Sequence, residues 1–546
     1  MSLPRLGAAL LLALAPVAGA SRVLAQEDVP HAHGEGRLGR VVFPVSCGPE
    51  AQRRFAHAMA VLHSFWWEEG ERAFGAVLEA DSSCAMAHWG RALNAWGNPF
   101  AGGPSGPPAA LGSAAAVLAA ARPLPTPREQ GFVNAVVALY REAGSVPSAV
   151  RLQAYADTMA RLHRDLPRDV EVTIYHALAL VATAPRTDTT FAQQRRAVAL
   201  LNPLYRRYPG HPGLAHYIIH STDSPVMAAD GLAAARAYAR IAPAAPHAQH
   251  MPSHIFVRLG LWDETVSANW RSYNAGIAHA RATSAPHYGP HELHALDYAV
   301  YGYLQRGQDA AARRAVANGQ VLDVPRNRAA VVGEYSRVAM AARLPLERDD
   351  WTAAAAFPAP DDSASAVGTM LSRFTRAIGA ARSGQGAMAE AEVAALDALA
   401  RELTAKPDQY WARITGIKRD AATAWIRFQA GDTAGGLALA AVAADTEDVT
   451  DKHPTTPAEL LPARELQADM LRAAGRPAEA LKAYRATLVR EPGRARSLYG
   501  VARSAELAGH RAAAQRGYTA YLAAMKPGDG TRPELAQART FLQQHR

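Results

Sequence analysis

Ten of the chain's twenty histidines fall between His211 and His294. An even spread would put about three in that window. Three spacings inside it can do chemistry. His216 and His220 are four apart, so on a helix both imidazoles face one way. His247, His250 and His254 combine spacings of three and four, with Pro252 between them, so a helix is expected to start near Met251 or Pro252. His287, His291 and His294 repeat the idea. There Pro290 precedes a helix on which His291, His294 and Asp297 share a face. Neutral imidazole is a ligand for zinc, copper, nickel and iron. Two or three histidines from separate helices, with Asp223, Glu292 or Asp297 as ligand or supporting acceptor, would hold such an ion. The competing structural reading is plain. Histidines at helix–helix contacts hydrogen-bond neighbouring carbonyls, and a cluster of them also forms a polar pocket that repels itself once protonated.

Familiar catalytic spacings are missing. His294 follows Glu292 one residue too early for His-Glu-x-x-His. There is no Cys-x-x-Cys, no Gly-x-Ser-x-Gly elbow, no phosphate-cradling Gly-Lys-Ser/Thr loop and no dinucleotide fingerprint. No reaction is therefore assigned. A second patch, His63-Ser64-Phe65-Trp66-Trp67-Glu68-Glu69, is either a groove for a peptide or sugar or an aromatic packing surface with solvated carboxylates. Asn98-Pro99 is turn chemistry, and Asp451-Lys452-His453-Pro454 lies on a long loop.

Helices must position these residues. Alanine dominates, β-branched runs are short, and no alternating strand pattern persists. Internal repeats decide the fold. Ala480 and Tyr484 recur 34 residues later as Ala514 and Tyr518, and Pro492 and Pro527 stand near the ends of the two units. A small residue lets antiparallel helices approach, an aromatic fills the gap, and a proline ends the second helix. This is tetratricopeptide-repeat (TPR) spacing. Gly70 and Phe74 take the same positions in a looser N-terminal unit. Further helix–turn–helix units are expected around Leu259–Glu264 and Tyr298–Arg314. Breaks fall at 102–127, 345–365 and 445–462.

The strings Phe43-Pro-Val-Ser-Cys47, Leu62-His-Ser-Phe-Trp66, Cys84-Ala-Met-Ala-His-Trp-Gly90 and His250-Met-Pro-Ser-His-Ile-Phe256 resemble a group of exported bacterial TPR proteins across most of the chain. Tyr298-Ala-Val-Tyr-Gly-Tyr-Leu304 and the His-rich helix pairs are similar to the eukaryotic tetratricopeptide-repeat thirty-eight family. Both resemblances imply a helical-repeat fold, and neither implies a particular reaction.

Composition bounds the rest. The chain has 546 residues, of which 49% are hydrophobic and 20% charged. It has a large core to bury and is not a disordered chain. The net charge of +9 comes from scattered residues without a Lys/Arg block, so no nucleic-acid partner is indicated. Residues 1–25 read as a signal peptide. Arg5 leads an apolar stretch from Leu6 to Ala18, Ala18-Gly19-Ala20 fits a cleavage site before Ser21, and Leu24-Ala25-Gln26 offers a second. The alternative is an uncleaved anchor. The expected location is periplasmic or extracellular, without a stable membrane span after cleavage. In such a compartment Cys47 and Cys84 pair, or they remain two buried thiols.

The expected fold is all-α: a TPR-like helical-repeat solenoid with an irregular, His-rich N-terminal half. It divides into the leader at 1–25, a helical domain at 26–345 with its His-rich segment at 211–294, and a repeat array at 346–546. The expected role is a protein- or peptide-binding module. The alternative is a transition-metal protein using His216, His220, His247, His250, His254, His287, His291 and His294.

Overall fold

The computed structural model describes residues 38–101, 126–185, 187–326, 331–406 and 409–545. The leader, His31, His33 and most of the break at 102–127 lie outside the described residues. Those described form helices and connecting turns, with no strand among them.

The C-terminal repeat forms as its sequence dictates. Helices Ala463–Ala473, Pro477–Arg490, Ala495–Leu507 and Arg511–Ala524 follow one another through short turns. Gly475 and Gly509, 34 residues apart, close the first and third of these. Their φ angles of 71° and 75° lie in the left-handed region, where a Cβ is penalised. Tyr484 and Tyr518 are fully buried. A Cβ on Gly500 would come within 2.4 Å of the Tyr484 ring, so the glycine makes the close approach possible. The tyrosine hydroxyls are not stranded: Tyr484 donates to Asp469 and Tyr518 to Glu506.

Helices pack with their next-but-one neighbours as well as with the adjacent ones. Tyr410–Gln429 contacts Gly386–Thr404 and Thr433–Asp448, and also Ala366–Arg382 and Ala463–Ala473. This is the stacking of a TPR-like helical-repeat fold. The N-terminal unit uses the same device less regularly. Phe74, in Trp67–Ala80, packs on Gly90 of Ala85–Trp96, and Gly70 packs on Asn94. Helix–turn–helix units also form at Gly260 and Gly307, both with positive φ.

Helix Val331–Leu346 runs through Pro345 into the 345–365 break. It sends Met340 into one hydrophobic cluster and Tyr335, Ala339 and Ala342 into another. Polar contacts bind the flanking parts together. Arg343 pairs with Asp297 at 2.8 Å and donates to the carbonyls of Ala458 and Glu459. Arg494 pairs with Glu465 and Glu347, both at 2.8 Å. All five of these charged side chains are buried. Arg343 thereby holds the 449–462 loop against helix Pro290–Gln305, which carries part of the histidine cluster. Cys47 and Cys84 form a disulfide with a Cα–Cα distance of 5.2 Å, which ties the start of Pro49–His63 to the start of Ala85–Trp96.

Candidate metal centre

Three short helical segments deliver the histidines. Pro212–Thr222 begins with proline at its first position and carries His216 and His220 on one face. Pro252 has no N–H, so it separates Pro246–His250 from Pro252–Arg258. His247 and His250 lie on the first segment and His254 on the second. Pro290–Gln305 adds His294.

These side chains meet as two trios, His216/His220/His247 and His250/His254/His294. Within each, one ligand atom per residue lies within 4.8 Å of the others. His216 Nε2 is 3.1 Å from both His220 Nε2 and His247 Nε2. His250 Nε2 is 3.0 Å from His254 Nε2. The trios are neighbours: the His220 and His254 rings are 6.3 Å apart and the His247 and His250 rings 6.2 Å apart.

The far side of each ring decides what these contacts mean. His250 Nδ1 is 2.6 Å from Asn269 Oδ1, and Asn269 Nδ2 donates to the Thr265 carbonyl. That second bond orients the amide, so the histidine is the donor. His254 Nδ1 donates to Asp223 Oδ2 at 2.9 Å. With both protons on Nδ1, both Nε2 atoms present lone pairs to each other. His216 Nδ1 likewise donates to the His63 carbonyl at 2.7 Å, leaving its Nε2 lone pair toward two other imidazoles. One lone pair accepts at most one of them in the ring plane. Facing lone pairs repel unless a proton or a cation lies between them.

A proton is disfavoured there. Burial, followed by repulsion among neighbouring imidazoles, pushes His220, His247, His250 and His294 well below the ordinary histidine range. Burial holds His216 down at about 3. Burial also lowers His254 despite its carboxylate partner. Asp223 is already matched by Arg258 at 2.8 Å and Lys452 at 3.4 Å, before any imidazolium forms. A metal ion fits better. Two nitrogens bound at about 2.0–2.1 Å in tetrahedral geometry stand about 3.3 Å apart, close to the spacings seen. Neutral imidazoles are the right form for ligation.

The surroundings are apolar and aromatic. Phe65 meets the His216 ring edge-on at 4.5 Å and stacks on His247 at 5.6 Å. Phe100 lies 4.2 Å from the His220 ring. Phe65 takes a φ of 50°, a strained value for an aromatic residue. The 449–462 loop covers the second trio. Tyr298, packed on His250, His254 and His294, donates to the Thr456 carbonyl at 3.0 Å.

Two of the expected ligands do not join. His291 is half-buried beside the first trio, its ring 6.0 Å from that of His247. His287 is exposed and pairs with Asp323 at 2.8 Å. It leaves the group because it precedes the helix that carries His294. Of the three carboxylates considered, Asp223 alone contacts a trio histidine. Asp297 is taken by Arg343, and Glu292 lies against Gly276. The aromatic patch at 63–69 divides: Phe65 is buried against the histidines, Trp66 packs on His279, and Glu69 pairs with Arg72.

Sequence spacing gave no sign of a third group. Glu171 receives His63 Nε2 and His211 Nε2, each at 3.0 Å, and all three are buried. His211 caps helix Pro212–Thr222, its Nδ1 accepting the Leu214 N–H. Its proton therefore sits on Nε2 and points at Glu171. Burial alone would raise Glu171, but the two imidazoles outweigh it and hold the carboxyl at about 2. This is a saturated hydrogen-bond network, unlike the facing lone pairs of His250 and His254.

No family model matches the chain, and no curated protein matches it. Among solved structures it is similar to a monomeric mutant of IFIT1 with Gppp-AAAA, at 12% identity over 80% of this chain and 87% of that one, with a TM-score of 0.33. It is also similar to the P58(IPK) TPR domain, at 14% identity over 68% and 99%, with a TM-score of 0.20. A third is Naa15/Naa10 bound to HypK-THB, at 9% identity over 91% and 74%, with a TM-score of 0.20. At these scores the likenesses transfer no function to this chain.

Proposed function

We propose that this helical-repeat protein binds a pair of transition-metal ions, one in each histidine trio. One observation carries the reading: His250 and His254 oppose their Nε2 atoms at 3.0 Å while Asn269 and Asp223 hold the protons on Nδ1. The all-imidazole donor set suits zinc, copper, nickel or iron. His216, His220 and His247 would hold one ion, and His250, His254 and His294 the other. Asp223, Asn269 and the His63 carbonyl would orient the rings. Bound ions there would supply Lewis acidity or redox chemistry, and the apolar shell would restrict water. The reading includes export, which the disulfide supports.

The test is reconstitution of untagged, metal-free protein with Zn(II) and, separately, Cu(II), followed by dialysis and elemental analysis. The expected result is two equivalents. The variants His216→Ala/His220→Ala and His250→Ala/His254→Ala should each keep one. A folded wild-type protein that retains neither ion would overturn the reading.

A second reading, a protein- or peptide-binding module, is supported by the repeat stacking together with the exposed side chains of Val449 and Val489. Crosslinking in extracts of the exported fraction tests it. Recovery of the chain alone would count against it. Among the described residues no helix is long and apolar enough to cross a membrane.

A further inference from the structure

The two histidine trios are not separate in space. Within the first, the His220 and His247 rings are 6.5 Å apart, and within the second, the His254 and His294 rings are 6.2 Å apart. Across the gap, His220 to His254 is 6.3 Å and His247 to His250 is 6.2 Å. The step from one trio to the other is no longer than a step inside either. His247 and His250 also share one short helix, Pro246–His250, so a single element holds the two groups together. In two-metal sites, ions about 3.5–4 Å apart act on one ligand between them. Each trio brings three donors, which leaves a position on each ion for such a ligand.

Charge decides which ion and which ligand. Every donor in the trios is an imidazole, neutral when it binds a metal, and neither trio contains a carboxylate. Asp223, which orients His254, is already matched by Arg258 and Lys452. Buried charge is costly unless matched, and the cost of an ion grows with the square of its charge. Two singly charged ions therefore suit this pocket better than two divalent ones. Of the metals that favour imidazole, copper has an accessible singly charged state.

We infer, on the metal-binding reading above, that the two trios form one binuclear copper centre that binds dioxygen between its ions. Each Cu(I) gives one electron and becomes Cu(II). The dioxygen takes both electrons, its O–O bond falls from double to single, and Cu–O bonds form. No proton moves and no group leaves. The charge gained by the ions is balanced by the dianion between them, so the net charge of the buried centre does not change. His220 and His247 are half-buried, while the other four histidines are buried. The first trio is therefore the side from which a diatomic molecule enters. Phe65 and Phe100 flank it and keep water from the reduced oxygen.

The test uses untagged full-length protein. It is loaded with two equivalents of Cu(I) under argon and exposed to dioxygen in a sealed cell. One dioxygen should be taken up per two copper ions, with a near-ultraviolet charge-transfer band that fades when argon is returned. Protein loaded instead with two equivalents of Cu(II) should lose most of its electron paramagnetic resonance signal, because ions that share a ligand couple their spins. His216→Ala/His220→Ala and His250→Ala/His254→Ala, each holding one copper, should give the full signal of an isolated Cu(II) ion and take up no dioxygen reversibly. Wild type that holds two copper ions but takes up no dioxygen, or ends with two uncoupled Cu(II) ions, would overturn the inference and leave the two-ion reading standing. A single retained copper would overturn the inference too, and none retained would overturn both.

Discussion

The backbone carbonyl of His63 accepts the Nδ1 proton of His216 at 2.7 Å, across 153 positions of sequence. His63 is the last residue of helix Pro49–His63, where carbonyls lack intrahelical partners. A side chain from Pro212–Thr222 supplies the missing donor. One bond therefore satisfies a helix terminus and fixes the tautomer of a trio histidine. The His63 ring is fixed in turn, by Tyr217 at Nδ1 and Glu171 at Nε2, both at 3.0 Å.

Gly213 is the position most sensitive to this arrangement. A Cβ there would stand 2.5 Å from His63 Nδ1 and 2.9 Å from its Cγ. The ring cannot swing away without losing Tyr217 or Glu171. At an open helical site Gly→Ala stabilises by up to about 1 kcal/mol. Here Gly213→Ala should instead destabilise by about 1–3 kcal/mol, the usual range for overpacking. Urea denaturation measures the sign directly. The variant should also lose metal from the His216 trio before the His250 trio. A stabilised variant would show that the His63 anchor is looser than described.

Substitution of Asn269 tests the second trio while leaving its three histidines in place. Asn269→Leu removes the acceptor that keeps the His250 proton on Nδ1. The ring is then free to rotate and to take the other tautomer. Affinity for one of two Zn(II) ions should fall about 10–100-fold, the usual range for loss of such a partner. Asn269→Asp keeps an oxygen in place and should retain most of the affinity. Competition against a chromogenic chelator reads both, and equal loss in the two variants would point to general disruption of packing.

The repeat was legible because TPR-like packing is local. Ala480, Tyr484, Ala514 and Tyr518 act at fixed offsets on helices that touch their sequence neighbours. The shared face of His216 with His220 was legible for the same reason, as was a helix start at Pro252 that carries His254. The partition into two trios was not. His247 and His250 are three apart on one short helix, yet they join different trios. Pro252 ends that helix, and the trios are completed by His216 and His220 on one side and His294 on the other. Of the orienting groups Asp223 stood among the carboxylates considered, but the other two leave no pattern: a main-chain carbonyl, and an asparagine on the long helix Trp262–Ala282. His287 shows the opposite failure, since it belongs to the dense window but pairs with Asp323 at the surface.

Reduction of the disulfide bears on the same framework. The bridge closes a separation of 37 residues. By the chain-entropy relation, that constraint on the unfolded chain stabilises by about 4 kcal/mol. Thermal unfolding with and without a phosphine reductant should show a marked fall in Tm. Cys47→Ala/Cys84→Ala should match the reduced protein, because buried Cys84 otherwise contributes only packing. A Tm unmoved by reduction would place the 47–84 segment outside the unit that unfolds cooperatively.

Acid stability separates the metal-free protein from the loaded one. The trio histidines are held below the ordinary value of 6.5 in the folded chain, His216 as far as about 3. Above pH 6.5 both states leave them neutral, and they contribute nothing. Below it the unfolded chain takes up protons that the folded chain refuses, so stability falls with pH. The slope reaches about 1.4 kcal/mol per pH unit for each such histidine. Five buried carboxyls, Glu292, Asp297, Glu447, Glu465 and Glu491, are raised by burial and act in the opposite sense. Burial raises Glu447 to about 8 and Glu465 to about 7. Folded protein thus holds protons that the unfolded chain has released above 4.5, and stability rises as pH falls from 8. The six trio histidines, joined by His63 and His176, which burial also lowers, outweigh these five carboxyls below pH 6.5, so metal-free protein should be most stable between pH 6.5 and 8. Loaded protein should be more stable throughout that range. On acidification it should lose that advantage as protons displace the ions. Urea midpoints at half-unit pH steps, with and without Zn(II), test this. If the metal-free midpoint stays flat from pH 6.5 to 4.5, the imidazoles take up protons in the folded state, and burial does not hold them neutral.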